Sequence, residues 1–179
     1  EQATKSSKMK KTTLIVCMTL ISWGAFAQHD HSNHDDKKEM DQKAEPTFKD
    51  KNTGMAYGHY IHLKEALVAS KTDEAKKAAT KLEASLGTVS KGEKAKTEAA
   101  KVSAASTLDA QRKAFTALSN EMATLVKGST LTSGEVYLEY CPMANNNTGA
   151  YWLSNQKEIK NPYFGDRMLK CGSVKEIIH

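Results

Sequence analysis

The stretch TDEAKKAATKLEASLGTV, residues 72–89, indicates the fold class most clearly. Its apolar residues recur at steps of three and four: Ala75, Ala79, Leu82, Leu86 and Val89. This spacing puts them on one face of an α-helix, while lysine and glutamate occupy the opposite face. Ser70-Lys71-Thr72 offers an N-cap, and Gly92 marks the next turn. We therefore predict an amphipathic helix here.

Three further segments have the same helical period. They are a helix from Ala56 with Tyr60, Leu63 and Leu67; residues 93–106 with Ala95, Ala99 and Val102; and a helix capped by Ser106 or Thr107, with Leu108, Phe115, Leu118, Met122 and Leu125. Asn52-Thr53-Gly54 marks a break before the first, and Gly128 closes the last. Helices with short connections pack as antiparallel neighbours. The sequence therefore predicts a mainly α fold, an up-and-down bundle of about four helices.

The residues after Gly128 have a different pattern. Residues 134–140 alternate and are rich in β-forming side chains, which predicts a strand. An asparagine-rich loop at residues 145–147 and the turn-forming run at residues 161–165 follow. We predict a small C-terminal β/loop module beside the helices.

The N-terminal stretch predicts export. From Met9 the chain reads MKKTTLIVCMTLISWGAFAQ, with a short positive region, an apolar stretch too short to span a bilayer, and Ala25-Phe26-Ala27. That is the pattern of a secretory signal cleaved between Ala27 and Gln28. Residues 1–8 precede the start methionine and are interpreted as extra residues. We expect a periplasmic or otherwise exported protein without stable membrane insertion once 1–27 are removed.

Export changes the charge argument. The chain has a net charge of +5, and removing residues 1–27 takes away four lysines and one glutamate, which leaves +2. The remaining lysines are scattered along helices and are not grouped with aromatic residues. Nucleic-acid binding is therefore not predicted.

Residues 28–54 are almost free of apolar side chains, which predicts a disordered leader before a domain at residues 55–179. Three histidines, His29, His31 and His34, lie close together among aspartates. Such a tract can hold copper(II), zinc or nickel without a preformed site. The alternative is a merely soluble leader with incidental histidines.

Two pairs of soft sulfur residues are the strongest candidates for a metal site. Cys141 and Met143 are two residues apart and point to the same side of an extended segment. Met168 and Cys171 are three apart and meet on a helical turn or tight loop. Thiolate and thioether ligands select copper(I), or silver(I), over hard ions, whereas zinc prefers histidine or further thiolates.

His59 and His62 share one face of the first helix and could supply such nitrogen ligands, with His62 the better candidate.

A disulfide between Cys141 and Cys171 remains an equal alternative at this point. In an oxidising compartment it is the default outcome for two cysteines, and the methionines would then be ordinary core residues. There is no Cys-x-x-Cys, nucleophile-elbow, Walker or His-Glu-x-x-His motif. The sequence therefore predicts no enzymatic activity.

The tail also resembles a known family. Four blocks carry the likeness: residues 140–144 (YCPMA), 149–154 (GAYWLS), 159–165 (IKNPYFG) and 168–172 (MLKCG), together with residues 60–68 of the first helix. They are similar to a domain of unknown function that occurs alone in exported bacterial proteins or fused C-terminally to periplasmic adaptors of copper and silver efflux pumps. The likeness covers about residues 56–178. It implies a helical bundle, a link to metal resistance, and Cys141, Met143, Met168 and Cys171 as ligands.

Two functions follow as expectations. The first is a copper buffer or metallochaperone that passes copper(I) to an efflux adaptor, with zinc and silver as alternative metals. The second is a disulfide-stapled interaction module that docks on an envelope or efflux partner through aromatic side chains. Those side chains are Tyr151, Trp152, Tyr163 and Phe164.

Overall fold

Four long helices make up about half of the folded chain in a computed structural model, which describes residues 45–179. The helices are α1 (Lys51–Val68), α2 (Thr72–Leu86), α3 (Glu93–Ala104) and α4 (Leu108–Lys127). Each helix packs against the next one along the chain, and α1 also contacts α4. The predicted mainly helical fold with a C-terminal β module is confirmed.

Apolar stripes explain this packing. The buried side chains of α2 are those that the sequence predicted, Ala75, Ala79, Leu82 and Leu86, and those of α3 are Ala95, Ala99 and Val102. Alanine allows the two helix backbones to approach closely, whereas α4 contributes large side chains such as Phe115 and Met122 to the centre. Burial of one leucine or phenylalanine stabilises the fold by about 1.5–3 kcal/mol.

The helix ends show two differences from the sequence prediction. The helix α1 begins at Lys51 and continues through Asn52-Thr53-Gly54, because the Asp50 carboxylate caps it by accepting from the backbone of Asn52 and Thr53. No side chain caps α2, although Ser70-Lys71-Thr72 was expected to do so. Thr107 caps α4 as predicted, by accepting from the Ala110 amide.

The domain starts earlier than the predicted boundary at residue 55. The short strand β1 (Thr47–Phe48) pairs antiparallel with β2 (Leu131–Ser133), and Phe48 is buried. Residues 47–54 therefore belong to the folded unit, and the prediction that the disordered leader extends to 54 is wrong for them. Sequence composition missed this because one buried phenylalanine and one cap suffice to hold the segment. The predicted signal, residues 1–27, and the leader residues 28–44 lie outside the described residues.

The C-terminal module is a three-stranded antiparallel sheet. Its central strand is β3 (Val136–Cys141), with β4 (Ala150–Ser154) on one side and β5 (Ser173–Ile178) on the other. The predicted strand at 134–140 is thus confirmed, two residues shorter at its start. Helix α4 packs against β4, which attaches the sheet to the helices. A 3₁₀ helix, Gly165–Met168, lies between β4 and β5.

The β3–β4 connection contains an unusual turn. Asn145, Asn146 and Asn147 all have positive φ angles, between 51° and 63°. Asparagine tolerates this left-handed conformation better than most residues because its side chain bonds locally. None of the helices in the described part of the chain is both long and apolar enough to cross a membrane.

Candidate sulfur site at the end of the central strand

Cys141 and Cys171 lie side by side in the structure. Their sulfur atoms are 2.6 Å apart, although the residues are thirty positions apart in sequence, and both are free thiols. Cys141 ends β3 and is fully buried, whereas Cys171 precedes β5 and is partly buried. The predicted convergence of the two cysteines is therefore present.

Strand pairing brings the two thiols together. In the register of β3 and β5, Tyr140 is opposite Ser173, so the chain entering β5 passes the end of β3. Gly172 makes this path possible: its φ is +145°, and a Cβ there would collide with the Trp152 ring. A glycine is required at such a position because a side chain has neither the conformation nor the space.

The surroundings of Cys171 raise the pKa of its thiol. A hydrogen bond with the Cys141 thiol, then burial and the neighbouring charge, raise the pKa of Cys171 to about 11. A bond from the Met143 backbone amide acts in the opposite direction and lowers this pKa. Because a thiolate is the metal-binding form, a metal must displace the Cys171 proton at neutral pH.

Met143 and Met168 line one cleft close to the thiols. The cleft has a volume of about 570 Å³ and is also lined by Tyr163 and Phe164, but by neither cysteine. Met143 is 46% exposed, and the Met168 carbonyl accepts a hydrogen bond from the Cys171 amide at 3.0 Å. The structure thus places both methionines on one cleft, each within three residues of a cysteine, while neither thiol lines that cleft.

The predicted histidine ligands lie in a different place. His59 and His62 have ring centroids 6.3 Å apart and line a groove of about 450 Å³ with residues of α2. The groove has no cysteine or methionine, and three lysines, Lys71, Lys77 and Lys81, line it. Partial burial, His62 and Lys81 together lower the pKa of His59. His59 and His62 are therefore near each other but are not joined to the sulfur residues.

No group of three or more histidine, cysteine, aspartate and glutamate side chains forms a metal cluster within residues 45–179. The histidines His29, His31 and His34 lie outside the described residues.

The aromatic residues predicted to bind a partner divide into two classes. Trp152 is fully buried and Tyr163 is 6% exposed, with their rings 6.0 Å apart and the Tyr163 hydroxyl donating to the Tyr151 carbonyl. Tyr151 is 38% exposed and Phe164 is partly buried. Trp152 and Tyr163 thus form part of the core, and only Tyr151 and Phe164 offer surface.

The helical segment is similar to a family of unknown function. Residues 56–134 match the family described as protein of unknown function (DUF3347). The DUF3347 match covers α1 to β2 and ends before β3, so it is shorter than the resemblance over residues 56–178 and excludes the tail blocks. No curated protein and no solved structure matches the chain.

Two buried ionisable side chains, one in the DUF3347 segment and one in the sheet, were missed by sequence reasoning. Lys64 of α1 has a side chain only 2% exposed, and its ammonium bonds Glu65 at 2.6 Å. Glu139 of β3 is fully buried, and neither of its carboxylate oxygens has a hydrogen-bond partner among the described residues. Burial raises the pKa of Glu139 to about 8, against the opposing effects of Lys64 and of the nearby Trp152 indole.

Of these two residues, only Lys64 has a sequence position that indicates burial. Lys64 lies four residues after Tyr60 and three before Leu67, and therefore on the apolar stripe of α1. A lysine on such a stripe is either snorkelling to solvent or paired inside. Nothing in the sequence marked Glu139 as buried, because a charged residue in an alternating strand is expected on the solvent side.

Proposed function

We propose that this chain is an exported protein that binds a soft metal ion, copper(I) first, and acts as a buffer or metallochaperone without catalysing a reaction. The single observation that carries the proposal is the meeting of Cys141 and Cys171 at the end of β3. Two thiols with two thioethers nearby are the donor set that favours copper(I) and silver(I), with zinc a weaker alternative.

The position of the donors supports transfer of the ion. Met143 is exposed at the mouth of the cleft, while Cys141 is buried. An ion bound by the inner thiols would reach solvent or a partner past the thioethers, which are neutral and bind weakly enough to release it. We take the partner to be a periplasmic efflux adaptor, as the family resemblance implies.

We take the four helices to form an up-and-down bundle that supports the sheet, which the contacts between successive helices favour.

The thiols must separate to hold a metal. Two sulfurs that are each about 2.3 Å from a tetrahedral ion lie roughly 3.8 Å apart. From 2.6 Å, the pair has to open by about 1 Å, which a rotation of the partly buried Cys171 side chain can supply. Binding also releases the thiol protons, so affinity for the metal should rise with pH.

The test is an anaerobic titration of the reduced chain with copper(I) against a competing chromogenic chelator. Because the predicted signal contains a third thiol, Cys17, the background is Cys17→Ser. We expect one tightly bound equivalent, lost in the Cys141→Ser/Cys171→Ser variant. Stoichiometric tight binding in that variant would remove the site assignment.

Methionine variants test the outer donors. Replacing both Met143 and Met168 by leucine should weaken copper(I) binding about a hundredfold or more, since each lost ligand removes at least roughly 1.4 kcal/mol. Met55→Leu is the matched control, because Met55 is an exposed methionine on α1. Equal affinities of the double variant and the control would exclude thioether ligands.

The second candidate is a disulfide-stapled interaction module, and the short sulfur distance favours it. Two thiols at 2.6 Å need little movement to form a bond once oxidised. Tyr151 and Phe164 are the predicted aromatic residues that keep surface for a partner. Mass spectrometry of the untreated exported protein separates the candidates, because a bridge lowers the mass by two hydrogens and blocks thiol alkylation.

A further inference from the structure

Only two arginines occur among the 26 basic residues of the chain, and both line the same cleft. Arg112 comes from α4 and Arg167 from the 3₁₀ helix, 55 positions later. They also line a second opening of about 490 Å³ that continues from the first around Asp109 and Phe164. All other basic residues of the chain are lysines. The placement of both arginines at one cleft therefore indicates that this cleft uses the planar guanidinium group.

Arg112 is held firmly from one side. Its Nε donates to the Pro162 carbonyl at 2.9 Å, and its Nη2 donates to the Leu67 carbonyl and the Ser70 hydroxyl, both at 3.0 Å. Gly165 has φ +58° and approaches so closely that a Cβ there would lie 2.8 Å from Nη2. The Nη1 group makes no hydrogen bond to a described residue, and Arg112 lines the cleft, so Nη1 remains available to a ligand.

The two guanidinium groups are not neutralised within the described chain. No described carboxylate lies within 4.0 Å of an Arg112 or Arg167 nitrogen. Burial and the positive charge of Arg167 lower the pKa of Arg112, and Asp109 partly offsets them. Lys113 adds a third positive charge to the first cleft, whose one lining carboxylate is Asp109, and Asp166 is the second carboxylate that lines the other opening.

We propose that this cleft binds a small organic oxyanion, with its carboxylate or phosphate on Arg112 and Arg167 and its body against Met143, Met168 and Phe164. Paired guanidinium groups bind such oxygens through two parallel hydrogen bonds, which lysine cannot do. The thioether and aromatic wall contacts an apolar body, as in ordinary small-molecule sites. The proposal goes beyond metal binding and does not depend on it.

Because the chain has only two arginines, the NMR signals of their side chains can be followed individually. The reduced, metal-free chain, labelled with ¹⁵N, has two arginine Nε–Hε signals, which the variant Arg167→Gln assigns. The probes are sodium phosphate, sodium acetate and sodium benzoate, titrated at constant ionic strength with sodium chloride as reference. We expect saturable shifts of both signals, with benzoate binding more tightly than acetate because its ring contacts the apolar wall.

Variants decide whether the arginines are responsible. Arg167→Gln should weaken binding about tenfold or more, as expected for a lost charge-assisted hydrogen bond. Lys76→Gln removes one charge from an exposed site of α2 and should leave the affinity unchanged. Saturation by phosphate alone assigns the head group as phosphate, and saturation by benzoate assigns it as carboxylate. Shifts no larger than those with chloride, or equal affinities of Arg167→Gln and Lys76→Gln, would overturn the proposal.

Discussion

Glu139 is an acidic residue in an environment that disfavours its charged form. It is fully buried in the central strand opposite Trp152, and no described group bonds its carboxylate oxygens. Lys64, Glu65 and the Trp152 indole are the charged and polar groups whose influence reaches it. Because a buried carboxylate without partners is costly when ionised, the folded protein keeps Glu139 protonated near neutral pH.

Stability should therefore depend on pH through Glu139. Its pKa is about 8 in the folded chain against an ordinary value of 4.5, so folding takes up a proton between these pH values. The contribution is fully present below pH 4.5 and is lost as the pH rises to about 8. Glu139→Gln cannot ionise and should be more stable than the wild type at pH 8, by an amount of the order of a few kcal/mol.

Urea unfolding at pH 5, 6.5 and 8 measures this difference. The control is Glu158→Gln, because Glu158 is exposed. The gain of Glu139→Gln over the wild type should grow with pH, while that of the control should stay constant. A pH-independent difference for Glu139→Gln would show that this carboxyl is not protonated in the folded state.

The elements of the helical part follow from local sequence chemistry. The helix α4 is the clearest case, since Thr107 adopts an extended backbone and its hydroxyl accepts from the Ala110 amide at 3.2 Å. Gly128 ends the same helix. Both signals lie within a few residues of the helix, so the sequence predicted both.

Removing the cap should destabilise the domain through α4. Thr107→Ala leaves one of the first backbone amides of the helix without an acceptor and should cost about 1 kcal/mol. Ser106→Ala is the control, because Ser106 is exposed and makes no cap bond. Chemical denaturation compares the two, and an equal loss in both variants would show that the threonine hydroxyl does not cap α4.

Across the whole molecule, Tyr60 connects three elements. It is fully buried in α1, its hydroxyl lies 2.8 Å from the Ser119 hydroxyl of α4, and it accepts from the Leu153 amide of β4 at 3.0 Å. Its ring also stacks on Phe115. One side chain thus joins the helices to the sheet that carries the thiols.

Tyr60→Phe should loosen that connection while keeping the ring. The Leu153 amide would lose its buried acceptor, at a cost of about 1–3 kcal/mol. We expect lower stability towards urea and faster hydrogen exchange at Leu153. Tyr151→Phe is the control, because Tyr151 is exposed and its hydroxyl makes no hydrogen bond in the described chain. An unchanged exchange rate at Leu153 in Tyr60→Phe would contradict this role.

The sequence by itself determined the four helices, a strand close to residues 134–140 and the four candidate sulfur ligands. Helical stripes and caps depend on residues three or four positions apart, and the strand on alternation, so short windows of sequence contain that information. Asp50 shows the limit, because composition suggested a disordered leader up to residue 54 where a cap and a buried Phe48 extend the fold.

Only the tertiary structure decided which distant groups meet. The 2.6 Å approach of Cys141 and Cys171, the separation of His59 and His62 from them, and the shared cleft of Arg112 and Arg167 all depend on how strands and helices pack. The same packing buried Glu139, and it buried Trp152, which the sequence analysis had assigned to a partner surface. Whether a side chain is buried depends on the elements that pack over it, and those elements are distant in sequence.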